Sequence, residues 1–130
     1  MSQKYEWFVR LPDRPDVLET RLENRPLHVS HNKPLMENGT IIFGGPLLSS
    51  QPTSMEDGLQ KITGSIHLIK ARTEEEVWEL VRDDPYAKLE VWDLEKAEAD
   101  VHWGWPIDEM GPAIALVAVP LNVMDRLEGQ

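Results

Sequence analysis

The chain has 130 residues, enough for one domain with a modest core, and its 41% apolar and 28% charged content is that of a folded globular protein. A formal net charge of −10 without any Lys/Arg-rich stripe repels phosphate backbones, so nucleic acid is not an expected partner. The absence of cysteine excludes disulfides, thiolate catalysis and Cys-ligated zinc.

The opening MSQKYEWFVR carries charge from Lys4 onward and lacks the apolar centre of a signal peptide. Tyr5, Trp7, Val9 and Leu11 recur at period two, which predicts a first strand ended by Leu11-Pro12-Asp13. Residues 14–37 read as helical with a break. Val17, Leu18 and Leu22 mark a short amphipathic piece, and Pro26 suits the first turn of a second piece running to Glu37. Pro34 is awkward inside that piece and is expected to kink or shorten it. Asn38-Gly39 is a helix stop, with Gly39 free to take positive φ.

Thr40–Phe43 predicts a second strand running into a tight bend at Gly44-Gly45-Pro46, and residues 48–63 a long loop. Ile66, Leu68 and Ile69 place a third strand over Gly64–Ala71. Thr73-Glu74-Glu75-Glu76 matches a capping box, in which the Thr73 hydroxyl takes the Glu76 amide hydrogen, followed by the apolar face of Val77, Trp78, Leu80 and Val81. Asp84 can cap a further turn begun by Pro85. Leu89 and Val91 alternate with Glu90 and Trp92, which suggests a fourth strand extending as far as Trp103.

Strand, helix, strand, strand, helix, strand is the ferredoxin-like split βαβ order. The expected fold class is therefore α+β, βαββαβ with an antiparallel sheet. Helices on one face leave the other uncovered and apolar, for which a homodimer is the simplest solution. Residues 1–103 form the expected domain and 104–130 a C-terminal extension packed on it or on the dimer. Ala113–Leu121, the longest apolar run, contains Pro120 and falls short of the roughly 20 residues of a membrane span. A soluble, cytoplasmic protein without membrane association is expected.

From Arg25-Pro26-Leu27-His28 onward the sequence resembles the YCII-related domain family. Members carry an Arg-x-x-His element at the start of the first main helix, then a helix ending in an Asn-Gly-type turn. A strand, a Gly-Pro bend, a Thr-Gly-Ser element, an acidic helix and an Asp-Pro-aromatic motif follow. Here these are Glu37-Asn38-Gly39, Ile41–Phe43, Gly45-Pro46, Thr63-Gly64-Ser65, Thr73–Glu76 and Asp84-Pro85-Tyr86. The resemblance spans residues 4–103 and implies a dimeric α/β barrel of two ferredoxin-like protomers. It also implies a His–Asp catalytic pair, and one member of the family dehydrochlorinates a chlorinated hydroxyquinol. His28 matches the family histidine. The family's acid follows the Gly-Pro bend, where this chain has Gln51.

Each candidate has a bland and a chemical reading. His28 in a first helical turn is kept neutral by the positive helix end and suits a general base; otherwise it packs or caps. Asp84 is a cap that can also replace the missing acid. Arg25 can orient a planar anion or pair with a surface carboxylate. His31 and Asn32 share a helical face with His28, and His31 is a second pocket residue or solvated. His67, on the side of Ile69, joins the pocket if that side is the barrel interior. Gln51 and Trp103, the latter beside Gly104 and Trp105, can line a site for a flat ligand. No carboxylate completes a metal set with His28 and His31. Gly44-Gly45 lacks the Lys-Ser/Thr of a phosphate loop.

The expected function is a cofactor-independent lyase or isomerase, with catalytic His28 and Asp84 acting on an aromatic, quinone-like or polyketide-like small molecule. Arg25, His31, Gln51, His67 and Trp103 would bind the substrate. The alternative is a non-catalytic small-molecule-binding or accessory protein on the same dimeric barrel.

Overall fold

A computed structural model describes residues 4–102. Trp103, Trp105 and the 104–130 extension lie outside the described residues. Four strands, β1 (Tyr5–Pro12), β2 (Ile41–Leu48), β3 (Ile62–Ala71) and β4 (Glu98–His102), form one sheet in the order β2-β3-β1-β4, with every neighbouring pair antiparallel. Between β1 and β2 lie α1 (Leu18–Glu23) and α2 (Arg25–Glu37). A short α3 (Met55–Gln60) joins β2 to β3, and α4 (Glu74–Asp83) and α5 (Pro85–Lys88) precede β4. None of these helices is long and apolar enough to cross a membrane.

The period-two pattern of β1 sends Val9 and Leu11 into the core with Ile41, Ile69 and Ala71 from the neighbouring strands. Val77 and Val81 of α4, Tyr86 of α5, and Val91 and Trp92 close that core from the helix side. Burying each of the larger side chains contributes about 1.5–3 kcal/mol. The far side of the sheet carries the row Phe43, Leu68 and Phe8, paired across β2, β3 and β1, and Phe43 remains exposed there. Thr73 caps α4 as expected, accepting from the Glu76 amide. The Glu76 carboxylate reaches one residue further back than a capping box requires, to the Arg72 amide at 2.8 Å.

Three expectations are corrected. Gly44-Gly45-Pro46 is not a bend: β2 continues through it in register with His67, Ile66 and Ser65, and its irregularities fall instead at Ile41/Phe43 and Leu47/Leu48. Because β2 is an edge strand, Pro46 costs no inner ladder bond. The 48–63 segment is not all loop, since the Ser54 hydroxyl accepts from Asp57 N and starts α3. Finally, Leu89–Trp92 is not the fourth strand. Leu89 caps α5, Glu90 takes a left-handed φ of 58°, and Val91 and Trp92 are both buried instead of alternating. Trp92 makes only an isolated bridge to Asp13, and the strand forms later, at Glu98–His102.

Candidate functional site

The site grows from two caps. Asn24 precedes α2, with Pro26 in its first turn, and this sets His28 one turn into the helix. Asp84 caps α5: its Oδ1 accepts from the Tyr86 amide at 2.8 Å, and Pro85 occupies the first helical position. The two elements pack so that the same Asp84 Oδ1 lies 2.8 Å from His28 Nδ1. Asn32, one turn beyond His28, donates to Asp84 Oδ2 at 2.7 Å and to the His28 carbonyl at 2.9 Å. Asp84 is 2% exposed. Burial alone would raise its pKa, but the hydrogen bond and charge of His28, with donation from Asn32 and the Tyr86 amide, hold the carboxyl below its ordinary value. An ionised Asp84 accepts a hydrogen bond from Nδ1–H and so leaves Nε2 of His28 as the basic nitrogen.

The face of the imidazole is fixed as well. Tyr86 stacks on His28 with ring centroids 4.1 Å apart and planes 9° apart. On Tyr86 lies the Arg21 guanidinium, its carbon 4.7 Å from the ring centroid, and the Tyr86 hydroxyl donates to the Arg21 carbonyl at 3.0 Å. Burial raises the Tyr86 pKa against the opposing charges of Arg21 and Arg25, so its hydroxyl stays protonated. Arg21 is itself buried and anchored, through Nε to Asp13 Oδ2 at 2.8 Å, Nη2 to Asp13 Oδ1 at 3.1 Å and Nη2 to Ser65 Oγ at 2.5 Å. The Trp92 indole N–H also donates to Ser65 Oγ, at 3.2 Å, and its ring stands edge-on to His28, Tyr86 and His67.

A cavity of about 520 Å³ opens between α2 and the strands β2 and β3. Its wall holds His28, Asn32, Tyr86, Ser65 and His67 as polar groups, with Val29, Met36, Ile41, Met55, Leu59 and Ile62 as apolar ones. Arg25 and Lys33 stand at its rim as exposed cations. That is the size of a small-ligand site.

The structure thus brings together four of the residues singled out in the sequence: His28, Asp84, Arg25 and His67. His67 does share its side with Ile69, but that is the helix side of the sheet and not the far face that a barrel would enclose. His31 turns away to within 4.0 Å of Asp83 and does not line the cavity. Gln51 is exposed beyond the end of β2, with its carbonyl accepting from Lys61, and does not line the cavity either. The continuous run of β2 through Pro46 carries it past the site. Sequence reasoning singles out neither Arg21 nor Tyr86 as a site residue. Arg21 left one usable signal: it falls among Val17, Leu18 and Leu22 on the apolar stripe of α1, where an arginine needs a buried partner.

The model of the YCII-related domain matches residues 6–96. The protein named "Derivative of benzaldehyde biosynthesis cluster protein C" of Emericella nidulans is 48% identical over 89 residues, 68% of this chain and 90% of that protein. Xenovulene A biosynthesis cluster protein asL2 of Sarocladium schorii is 35% identical over 104 residues, 75% of this chain and 86% of that protein. Among solved structures, 5-chloro-2-hydroxyhydroquinone dehydrochlorinase of Burkholderia phenoliruptrix, in complex with 2,5-dihydroxybenzoquinone, superposes with a TM-score of 0.63 at 25% identity. The match covers 76% of this chain and 93% of that one.

Proposed function

The chain belongs to the YCII-related domain family, and from that premise we propose that it is a small cofactor-independent enzyme of lyase or isomerase type, with His28 as the proton-transferring base. The observation that carries the reading is the His28–Asp84 pair, 2.8 Å apart at the wall of a cavity of about 520 Å³. Nδ1–H donates to Asp84, so Nε2 takes a proton from an acidic C–H or O–H of the substrate, and the buried carboxylate stabilises the imidazolium that forms. Arg25, at the rim, orients an anionic group of the substrate. The apolar wall suits a flat aromatic, quinone-like or polyketide-like molecule. Relatives from fungal biosynthesis clusters and a neighbour that acts on a chlorinated hydroquinone support that substrate class.

The test is turnover of hydroxylated and chlorinated hydroquinones by the wild-type chain, His28→Ala and Asp84→Asn. Loss of about 10²–10⁴-fold in rate with the fold intact is expected for both variants. Equal, non-zero rates in all three would sink the roles of His28 and Asp84, and no turnover by any of them would favour a binding protein on the same scaffold. The same proposal includes a homodimer that covers the apolar row of Phe8, Phe43 and Leu68. Phe43→Asp should convert a dimer to a monomer in sedimentation, whereas a monomeric wild type would remove that part of it.

A further inference from the structure

His67 is a buried imidazole that the proton-transfer step does not use. It sits in the middle of β3 on the helix side, 6% exposed, with its ring 5.9 Å from that of His28 and the two planes 30° apart. Among the described residues nothing hydrogen-bonds it, although no fully buried side-chain nitrogen or oxygen in them lacks a partner. His67 is itself one of the residues that line the wall of the cavity. Where the fully buried side-chain nitrogens and oxygens of the described residues are all paired, a histidine without a hydrogen-bond partner among those residues points to a ligand group that completes it.

The strand beside it is built for this ring. A Cβ on Gly44 would come 2.8 Å from His67 Cδ2 and 3.2 Å from the Ile66 carbonyl oxygen. Glycine at position 44 therefore lets β2 pass close to the imidazole without displacing it. Gly45, next in the chain, has nothing within 4 Å of the same position, so the requirement is specific to Gly44.

We infer that His67 is a second ligand-contacting residue of this cavity, a neutral imidazole that hydrogen-bonds one oxygen of the bound molecule while His28 exchanges a proton with another, and that Gly44 keeps the place of its ring. The inference rests on the proposed reading of His28 for the ligand's chemistry. Burial pushes the His67 pKa down to about 4, the His28 and Arg21 charges acting in the same direction and Asp84 against them. At neutral pH the ring thus offers one N–H and one lone pair. It can serve a phenol or a carbonyl oxygen without adding charge. Two imidazoles 5.9 Å apart select a ligand with two oxygen functions close together over one with a single oxygen.

4-Nitrocatechol, a flat phenol with two adjacent oxygens and a visible band that reports its ionisation, is the probe. It is titrated into the full chain, labelled with ¹⁵N in histidine, and the imidazole nitrogens are followed with the absorbance. The ring nitrogens of both His28 and His67 should move, and His67→Phe and Gly44→Ala should each weaken binding ten-fold or more. Gly44→Ala leaves both rings chemically intact, so it decides the matter even where His67→Phe fails to fold. If the His28 signals move while those of His67 stay still and Gly44→Ala binds within two-fold of wild type, the inference about His67 is overturned and the proton-transfer reading stands. If the His67 signals move alone, His67 is the ligand contact and the proton-transfer reading of His28 falls. No binding to the wild-type chain overturns both.

Discussion

Tyr86 lies flat against His28, its ring centroid 4.1 Å away and its plane tilted by only 9°. Two residues earlier, Asp84 holds the edge of the same imidazole. One turn of chain, Asp84 to Tyr86, therefore fixes the ring in two directions, which is what a proton carrier needs if its nitrogen is to stay aligned. The two contributions of Tyr86 are separable. Tyr86→Phe removes the hydroxyl bond to the Arg21 carbonyl and should cost about 1 kcal/mol in denaturant unfolding, with turnover unchanged. Tyr86→Leu removes the stack as well and should cost about 2–3 kcal/mol. It should also lower kcat more than it raises KM, because a loosened ring still admits substrate. A Leu variant with wild-type kcat would show that stacking does not position the base.

Asp84 has three donors: His28, Asn32 and the Tyr86 amide. Asp84→Ala leaves the last two buried without an acceptor and should cost about 2–4 kcal/mol. Asp84→Asn keeps an oxygen for the α5 cap and loses the charge that favours the imidazolium. Calorimetry should therefore place Asn well above Ala in stability, while both lose turnover. If Asn were as destabilised as Ala, the cap would depend on the carboxylate charge and not on its oxygen.

The same residues show how far the sequence can be read. The strand pattern of Tyr5–Leu11, the Pro26 start of α2 and the Thr73 cap of α4 are local signals, and each sits where its pattern predicts. His28 and Asp84 are separated by 56 positions, so their meeting depends on how α2 docks on α5, which no local pattern encodes. Gln51 falls near the site only if the chain bends at Gly45-Pro46. In an edge strand proline bears no such meaning, and the strand continues through it. Trp92 has the look of a strand residue because it alternates with Val91, but a left-handed Glu90 breaks the alternation and both side chains go inward. The β4 that does form has mostly exposed residues and left almost no periodic trace.

Arg21 is the support on which the stack rests. Its guanidinium is buried between the Asp13 carboxylate, the Ser65 hydroxyl and the Tyr86 ring. Arg21→Met would strand Asp13, whose side chain is 7% exposed, and should cost about 3–5 kcal/mol. The double variant Arg21→Met with Asp13→Leu removes both charges and should recover most of that loss. Urea unfolding of the two variants checks this. A double variant no more stable than the single one would mean that the pair's hydrogen bonds, and not the stranded charge, carry the cost.

Acid should destabilise the fold through His67. Its pKa falls from an ordinary 6.5 to about 4 in the folded chain, because burial disfavours the charged ring. His28 and Arg21 add to that effect and the Asp84 carboxylate opposes it. The unfolded chain thus binds more protons than the folded one between about pH 6.5 and 4, and stability rises with pH across that window. The contribution is complete above pH 6.5 and is lost as the pH falls towards 4; a shift of this size corresponds to about 3 kcal/mol. Asp84, with its lowered pKa, contributes at a lower pH: its stabilisation holds above its ordinary value of 3.8 and disappears only on stronger acidification. His67→Phe should flatten the stability profile between pH 6.5 and 4 and leave the drop below 4 in place. Urea midpoints at half-unit pH steps read both segments, and an unchanged slope in the upper one would mean that His67 is not the group that titrates there.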